Sequence, residues 1–151
     1  MRLRILFGGL LMVLSAVPLF VFPGSDKRPQ EVTVRGRALC VNGTRQPEPC
    51  SSSAEQFVLQ TSEGKIYRFL KEDPSTAILT DPRVRERELQ VSARRRPEDH
   101  LEIIKVYSVR QDRIFDLYYF CEVCNITAYA PGLCPCCRRE MEFRETPVEK
   151  S

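Results

Sequence analysis

The chain has 151 residues, 42% hydrophobic and 28% charged, which suits one compact domain plus something small and excludes a disordered chain. A net charge of +3 is too mild to argue for nucleic acid by itself. A single histidine, His100, and no tryptophan leave little room for Ser/His, Cys/His or multi-histidine metal chemistry.

Residues 1–24 stand apart from the rest. Arg2 and Arg4 precede an uncharged apolar run over residues 5–22. Eighteen apolar residues are at the short end of a membrane-spanning helix and longer than a usual signal-peptide core. No clear cleavage site ends the run. The segment reads as an uncleaved signal anchor, with a cleaved signal peptide as the alternative. The two arginines favour a cytoplasmic N-terminus, weakened by Lys27 and Arg28 on the far side. On this reading the remainder is membrane-anchored on the extracytoplasmic side, periplasmic in a bacterium, or secreted if the segment is cleaved.

Residues 25–30 form a polar linker. Residues 31–113 read as a β-domain. Residues 32–41 put Val32, Val34 and Ala38 on one face, and Gly36 suggests a bulge or bend. Residues 56–70 read as a hairpin turned at Ser62, Glu63 and Gly64. Residues 74–80 suit a short helix capped by Asp73. Residues 81–87 are turn-like and basic. Residues 88–96 alternate as a fourth strand with Leu89, Val91 and Ala93 inward, and residues 101–109 are a fifth, rich in β-branched side chains. Residues 114–120 lead into a cysteine cluster. Five strands with a short helix between the third and fourth resemble the order of the OB-fold, and so imply a small five-stranded barrel. The fold class expected is mainly β.

Five of the seven cysteines fall between Cys121 and Cys137. The spacing Cys121-x2-Cys124-x9-Cys134-x2-Cys137 is a strong zinc signal. Each C-x-x-C turns tightly, so its sulfurs and several backbone N–H groups face one centre. Two such turns face to face give a tetrahedron of thiolates. Asn125, just past the first pair, tolerates a left-handed backbone, and Pro131-Gly132 can turn the chain back toward the second. Cys136 is then a spare thiol whose side chain is expected to point away from the metal. Arg138 and Arg139 follow and would offset a centre of charge near −2. The cysteine unit spans residues 114–145; residues 121–145 offer few apolar anchors, and a unit this small usually needs a metal or disulfides.

Residues 119–137 resemble a rubredoxin-like zinc ribbon. They are also similar to the heavy-metal-binding domain of bacterial transport proteins, in Tyr119-x-Cys121 and Pro131-Gly132-x-Cys134-Pro135-x-Cys137. Cys124 stands where that domain has His, and Arg138-Arg139 where it has Gly-Met, which favours a closed all-sulfur site. The layout of anchor, β-domain and ribbon is similar to that of small bacterial membrane-anchored proteins. Four readings of the cluster compete: structural zinc first, then metal delivery or sensing, rubredoxin-like iron, and disulfide or thiol redox chemistry. Residues 146–151 read as a disordered tail.

Cys40 and Cys50 flank a loop and could close it as a disulfide outside the cytoplasm. The basic residues Arg83, Arg85, Arg87 and Arg94, Arg95, Arg96 could join Tyr67 and Phe69 in an oligonucleotide-binding face. The more economical reading is a solvated face balanced by Glu86, Glu88, Glu98 and Asp99, because an exported domain rarely meets nucleic acid. His100 reads as a surface residue. No constellation for catalysis stands out. The expectation is a non-enzymatic binding or structural module, with the membrane as one partner and any protein partner unspecified. The alternative is a metal-trafficking or thiol/iron redox protein.

Overall fold

The computed structural model describes residues 29–41, 46–50 and 56–149. The expected signal anchor or signal peptide lies outside the described residues, as do residues 25–28 of the linker. Among the described residues no helix is long and apolar enough to cross a membrane.

The chain is mainly β. In order come β1 (Glu31–Val41), β2 (Pro47–Glu48), β3 (Gln56–Gln60), β4 (Ile66–Phe69), a 3₁₀ helix (Pro74–Thr80), a single helical turn α1 (Pro82–Arg85), β5 (Glu88–Arg96), β6 (His100–Arg110), β7 (Arg113–Cys121), β8 (Ile126–Ala128) and β9 (Glu142–Pro147). Five strands close a ring. β1 pairs with β3, β3 with β4, and β5 with both β6 and β1, all antiparallel, while β4 and β6 close the circuit as a short parallel pair.

β1 serves two neighbours in the ring, and its end also pairs with β2. Residues 31–37 pair with β5 and residues 37–41 with β3, both sharing Arg37. Gly36 stands at this handover. No register break marks a bulge there, the first of the two alternatives expected, a bulge or a bend; the glycine permits close approach. A Cβ at Gly36 would lie 2.3 Å from the carbonyl oxygen of Gln60. The register shift falls between Ser92 and Ala93 of β5, against β6.

The strict alternation of β5 buries Leu89, Val91 and Ala93 completely. Ile78 and Leu79 of the 3₁₀ helix and Val84 of α1 join them. Asp73 starts the 3₁₀ helix as the sequence suggested. Its Oδ1 accepts from the Ser75 N–H (2.9 Å) and its Oδ2 from the Ile103 N–H (2.7 Å), so the cap also ties the helix to β6. Residues 82–85 form a helical turn rather than irregular chain, because Pro82 presets the first position and Asp81 caps it.

β7 carries the chain out of the ring. Its first residues pair with β6 across a two-residue turn, where Gln111 (φ 49°) and Asp112 (φ 58°) are both left-handed. Its remainder pairs with β8 on one side and β9 on the other. Position 113/114 therefore falls at the start of a continuous strand. At the far end, Thr146 and Pro147 belong to β9 and the Val148 N–H donates to the Ile114 carbonyl, so these residues are held in the sheet where a tail was expected from residue 146.

Ring and cysteine segment share one core. Tyr119, Cys121, Cys134 and Met141 belong to the same buried cluster as the ring residues. The Tyr119 hydroxyl donates to Asp81 Oδ2 at 2.7 Å. Glu145 accepts from Arg87 through Nε and Nη2 (both 2.7 Å) and from the Ser108 hydroxyl (2.7 Å).

Candidate metal centre

Cys121 is the last residue of β7, and Cys124 follows in the turn before β8. Cys134 and Cys137 sit on a second turn closed by two backbone bonds: the Arg138 N–H donates to the Cys134 carbonyl (2.9 Å) and the Cys134 N–H to the Arg139 carbonyl (2.8 Å). The residue after each pair is left-handed, Asn125 at φ 54° and Arg138 at φ 61°. The first was legible because asparagine tolerates that region; the second was not, because arginine carries no such signal. Gly132, at φ 149°, makes the return turn in a conformation side chains rarely adopt.

The four sulfurs of Cys121, Cys124, Cys134 and Cys137 lie within 4.8 Å of one another. Those of Cys121 and Cys137 are 3.6 Å apart. A disulfide needs about 2.0 Å. A tetrahedron with metal–sulfur bonds of about 2.3 Å needs edges of about 3.8 Å. The spacing fits the second. Cys121 and Cys134 are buried, and Cys124 and Cys137 half-buried.

The four thiols perturb one another's titration. Backbone N–H groups of Cys137 and Cys136, aimed at the Cys134 sulfur, pull its pKa down to about 7. The Cys121 thiol is pulled down by the Cys124 N–H, but burial and the Cys134 and Cys137 thiols push it up on balance. The Cys124 thiol is pushed up by its hydrogen bond with Cys136, then by burial and by Cys137 and Cys134. Four thiolates so close repel one another and cannot all ionise without a positive ion among them. The four cysteines are thus positioned to bind a metal ion.

Cys136 is exposed and stands outside the set of four. Cys40 and Cys50 are joined as a disulfide that ties β1 to the chain after β2.

The basic residues are engaged elsewhere. Arg83 pairs with Asp81 (2.7 Å) and Arg87 with Glu145 (2.7 Å). Arg85 donates to the carbonyls of Leu79 and Thr80. Arg94 pairs with Glu31 and Glu102, Arg95 with Asp99, and Arg96 with Glu102. Of the four acids expected to balance them only Asp99 does so in these pairs. Phe69 is 1% exposed, which removes it from any stacking surface with Tyr67. His100 opens β6 with its Nδ1 3.1 Å from the Pro97 carbonyl oxygen.

One feature had no sequence signal. A groove of about 440 Å³ lies between the 3₁₀ helix, β6 and the end of β8, walled by Ile78, Ile103, Ile104 and Tyr129. Its walls come from three distant segments. Lys105 crosses it, paired with Asp116 (2.7 Å) and with its Nζ 3.5 Å from the Tyr129 ring centre.

Comparison with family models, curated proteins and solved structures gives no match.

Proposed function

We propose that this chain is a non-enzymatic, membrane-anchored extracytoplasmic module, an OB-like barrel closed by a rubredoxin-like ribbon that holds a structural zinc. The observation that carries the reading is the set of four cysteine sulfurs within 4.8 Å, on two turns each followed by a left-handed residue. A closed all-thiolate set leaves no open position for a substrate, which is the pattern of structural rather than catalytic zinc. Residues 121–141 pair only briefly, and a bound zinc supplies roughly 10–16 kcal/mol in small peptides, far more than their few apolar contacts.

The cyclic strand order, with one parallel pair and helical turns between β4 and β5, supports the OB-like reading. The Cys40–Cys50 disulfide suits an oxidising compartment, and the apolar run over residues 5–22 supplies an anchor of adequate length. The membrane is then the first partner, and the ribbon either completes the domain or presents a surface to a second protein.

Metal analysis of the purified chain, with a chelator challenge, tests this reading. One tightly held equivalent of zinc, with unfolding on removal, is the expected result. Red iron-loaded protein, a preference for copper, or a metal-free disulfide form contradicts it and favours the redox or trafficking alternative. N-terminal sequencing of membrane-fraction protein tests the anchor separately; a mature chain starting near Ser25 refutes it.

A further inference from the structure

We infer that the groove between the 3₁₀ helix, β6 and β8 seats an acyl chain of a membrane phospholipid. The source of that chain rests on the membrane-anchor reading, while the groove itself rests on the strand pairing.

The groove is a gap in the sheet. β4 pairs with β6 only as far as Phe69 and Leu101, and β7 joins it only from Tyr107 and Asp116. Among the described residues, no strand covers this edge of β6 over residues 102–106. The pairing on the other edge is also interrupted. β6 meets β5 through Lys105 and Ser92, then through Ile103 and Ala93, so Ile104 is the extra residue of a bulge. A bulge re-aims a side chain, and Ile104 is exposed on the groove wall. Tyr129, just past β8, is exposed there too.

The chemistry of the wall selects the occupant. Ile78, Ile103 and Val106 add apolar surface, and a volume of about 440 Å³ falls within the roughly 300–1,000 Å³ of small-molecule sites. Among the described residues, Lys105 is the one charged side chain on the wall, and Asp116 meets its charge at 2.7 Å. A free carboxylate or an acidic peptide therefore finds no cation left over. An added β-strand would need the open edge of β6, but Asp73 Oδ2 already holds the Ile103 N–H at 2.7 Å. An uncharged aliphatic chain needs neither a charge nor a backbone partner.

Position supplies the source. The Gln30 carbonyl accepts from the Arg95 N–H, so the chain enters the ring at the end of β5. Val32 pairs with Ala93 and Ala93 with Ile103, which puts the groove two strands, about 10 Å, from the start of β1. The eight residues 23–30 span at most about 28 Å from the end of the apolar run. A groove so placed is within reach of a bilayer that holds residues 5–22. Tyr129, with Lys105 Nζ 3.5 Å from its ring centre, suits a lipid–water interface, where tyrosine is enriched and lysine stems lie along apolar surface. The tether keeps lipid at high effective concentration, so a seat too weak for a dissolved ligand is filled.

The test reconstitutes the full chain in phosphatidylcholine vesicles carrying a phospholipid with a diazirine midway along one acyl chain. After irradiation, adducts are mapped by mass spectrometry. They are expected within residues 101–106 and 126–130, beside those of the anchor at residues 5–22. In Ile104→Glu the groove adducts should fall at least about tenfold relative to the anchor's, because burying an unpaired carboxylate against an acyl chain costs more than that factor. Adducts confined to residues 5–22 overturn the proposal, as do groove adducts that Ile104→Glu leaves unchanged. Labelling of the groove by a dissolved diazirine fatty acid, but not by the phospholipid, overturns the membrane source. Chain-to-chain cross-links from residues 101–106 without lipid adducts there assign the groove to a second copy and overturn it as well. The natural chain's map decides the matter even if Ile104→Glu misfolds. The anchor is read separately: a lack of adducts over residues 5–22 sinks the anchor reading, while the groove adducts still decide this one.

Discussion

Removing one oxygen atom tests whether the ring and the cysteine segment fold as a unit. Tyr119 lies on β7 between the ring and Cys121, is 1% exposed, and donates its hydroxyl to Asp81 Oδ2 at 2.7 Å. Asp81 is itself buried at the start of α1, so the bond joins segments 38 residues apart. Tyr119→Phe keeps the ring, and with it the packing on Phe143 at 5.5 Å between centres. It deletes only the hydroxyl. A hydrogen bond to a charged group contributes about 1.5–3 kcal/mol. Asp81 retains Arg83, through Nη2 at 2.7 Å and the backbone N–H at 2.9 Å, so its charge is not stranded. The low end therefore applies, about 1.5 kcal/mol. For a domain of this size that lowers Tm by about 6 °C. Urea unfolding followed by circular dichroism reads the free energy, and metal content should stay unchanged. A loss under about 0.5 kcal/mol, within the range of an ordinary surface substitution, refutes the claim that this bond couples the two parts.

The same carboxylate gives a pH prediction. Burial pushes the Asp81 pKa up, but hydrogen bonds from Arg83 and Tyr119 outweigh it and hold it at about 2, against 3.8 for a free aspartate. A depressed carboxylate stabilises the fold fully above about pH 4, and that contribution, about 2 kcal/mol, is lost as pH falls from 4 to 2. Asp81→Asn should thus be about 2 kcal/mol less stable than the natural chain at pH 7 and indistinguishable from it near pH 2, by urea unfolding at each pH. Gly36→Ala drives a methyl group against the Gln60 carbonyl and should cost about 3 kcal/mol or fail to fold, read by thermal melting. Replacing Cys40 and Cys50 together by serine opens a loop of sequence separation 10 and should cost about 2.8 kcal/mol by loop entropy, with metal content unchanged.

Sequence periodicity revealed most of the ring because its strands alternate. β5 was readable residue for residue from Leu89, Val91 and Ala93, and β6 and β7 to within one residue at each end. The Asp73 cap was legible because capping is local. α1 was missed because four residues show no period. β8 and β9 were missed for a different reason. Ile126–Ala128 is hidden between cysteine pairs, and Glu142–Pro147 is polar, held by long-range pairing with β7 and by the Arg87–Glu145 ion pair. The oligonucleotide-binding alternative needed Phe69 at the surface, and the hairpin pattern could not exclude it because it does not say which face turns inward. Of the site, the four cysteines and Asn125 were legible from spacing and residue type. The close approach of the Cys121 and Cys137 sulfurs was not, because it depends on how the two turns are set against each other. The Asp81–Tyr119 bond was invisible for the same reason.

Zinc-edge X-ray absorption on the natural chain and on Cys136→Ser addresses the four-sulfur centre most directly. Four sulfur neighbours at about 2.3 Å, in one equivalent of metal, are expected in both proteins. Cys137→Ser should lose the metal. Fewer than four sulfurs in the natural chain, or a change in the sulfur shell in Cys136→Ser, would contradict the assignment of Cys121, Cys124, Cys134 and Cys137.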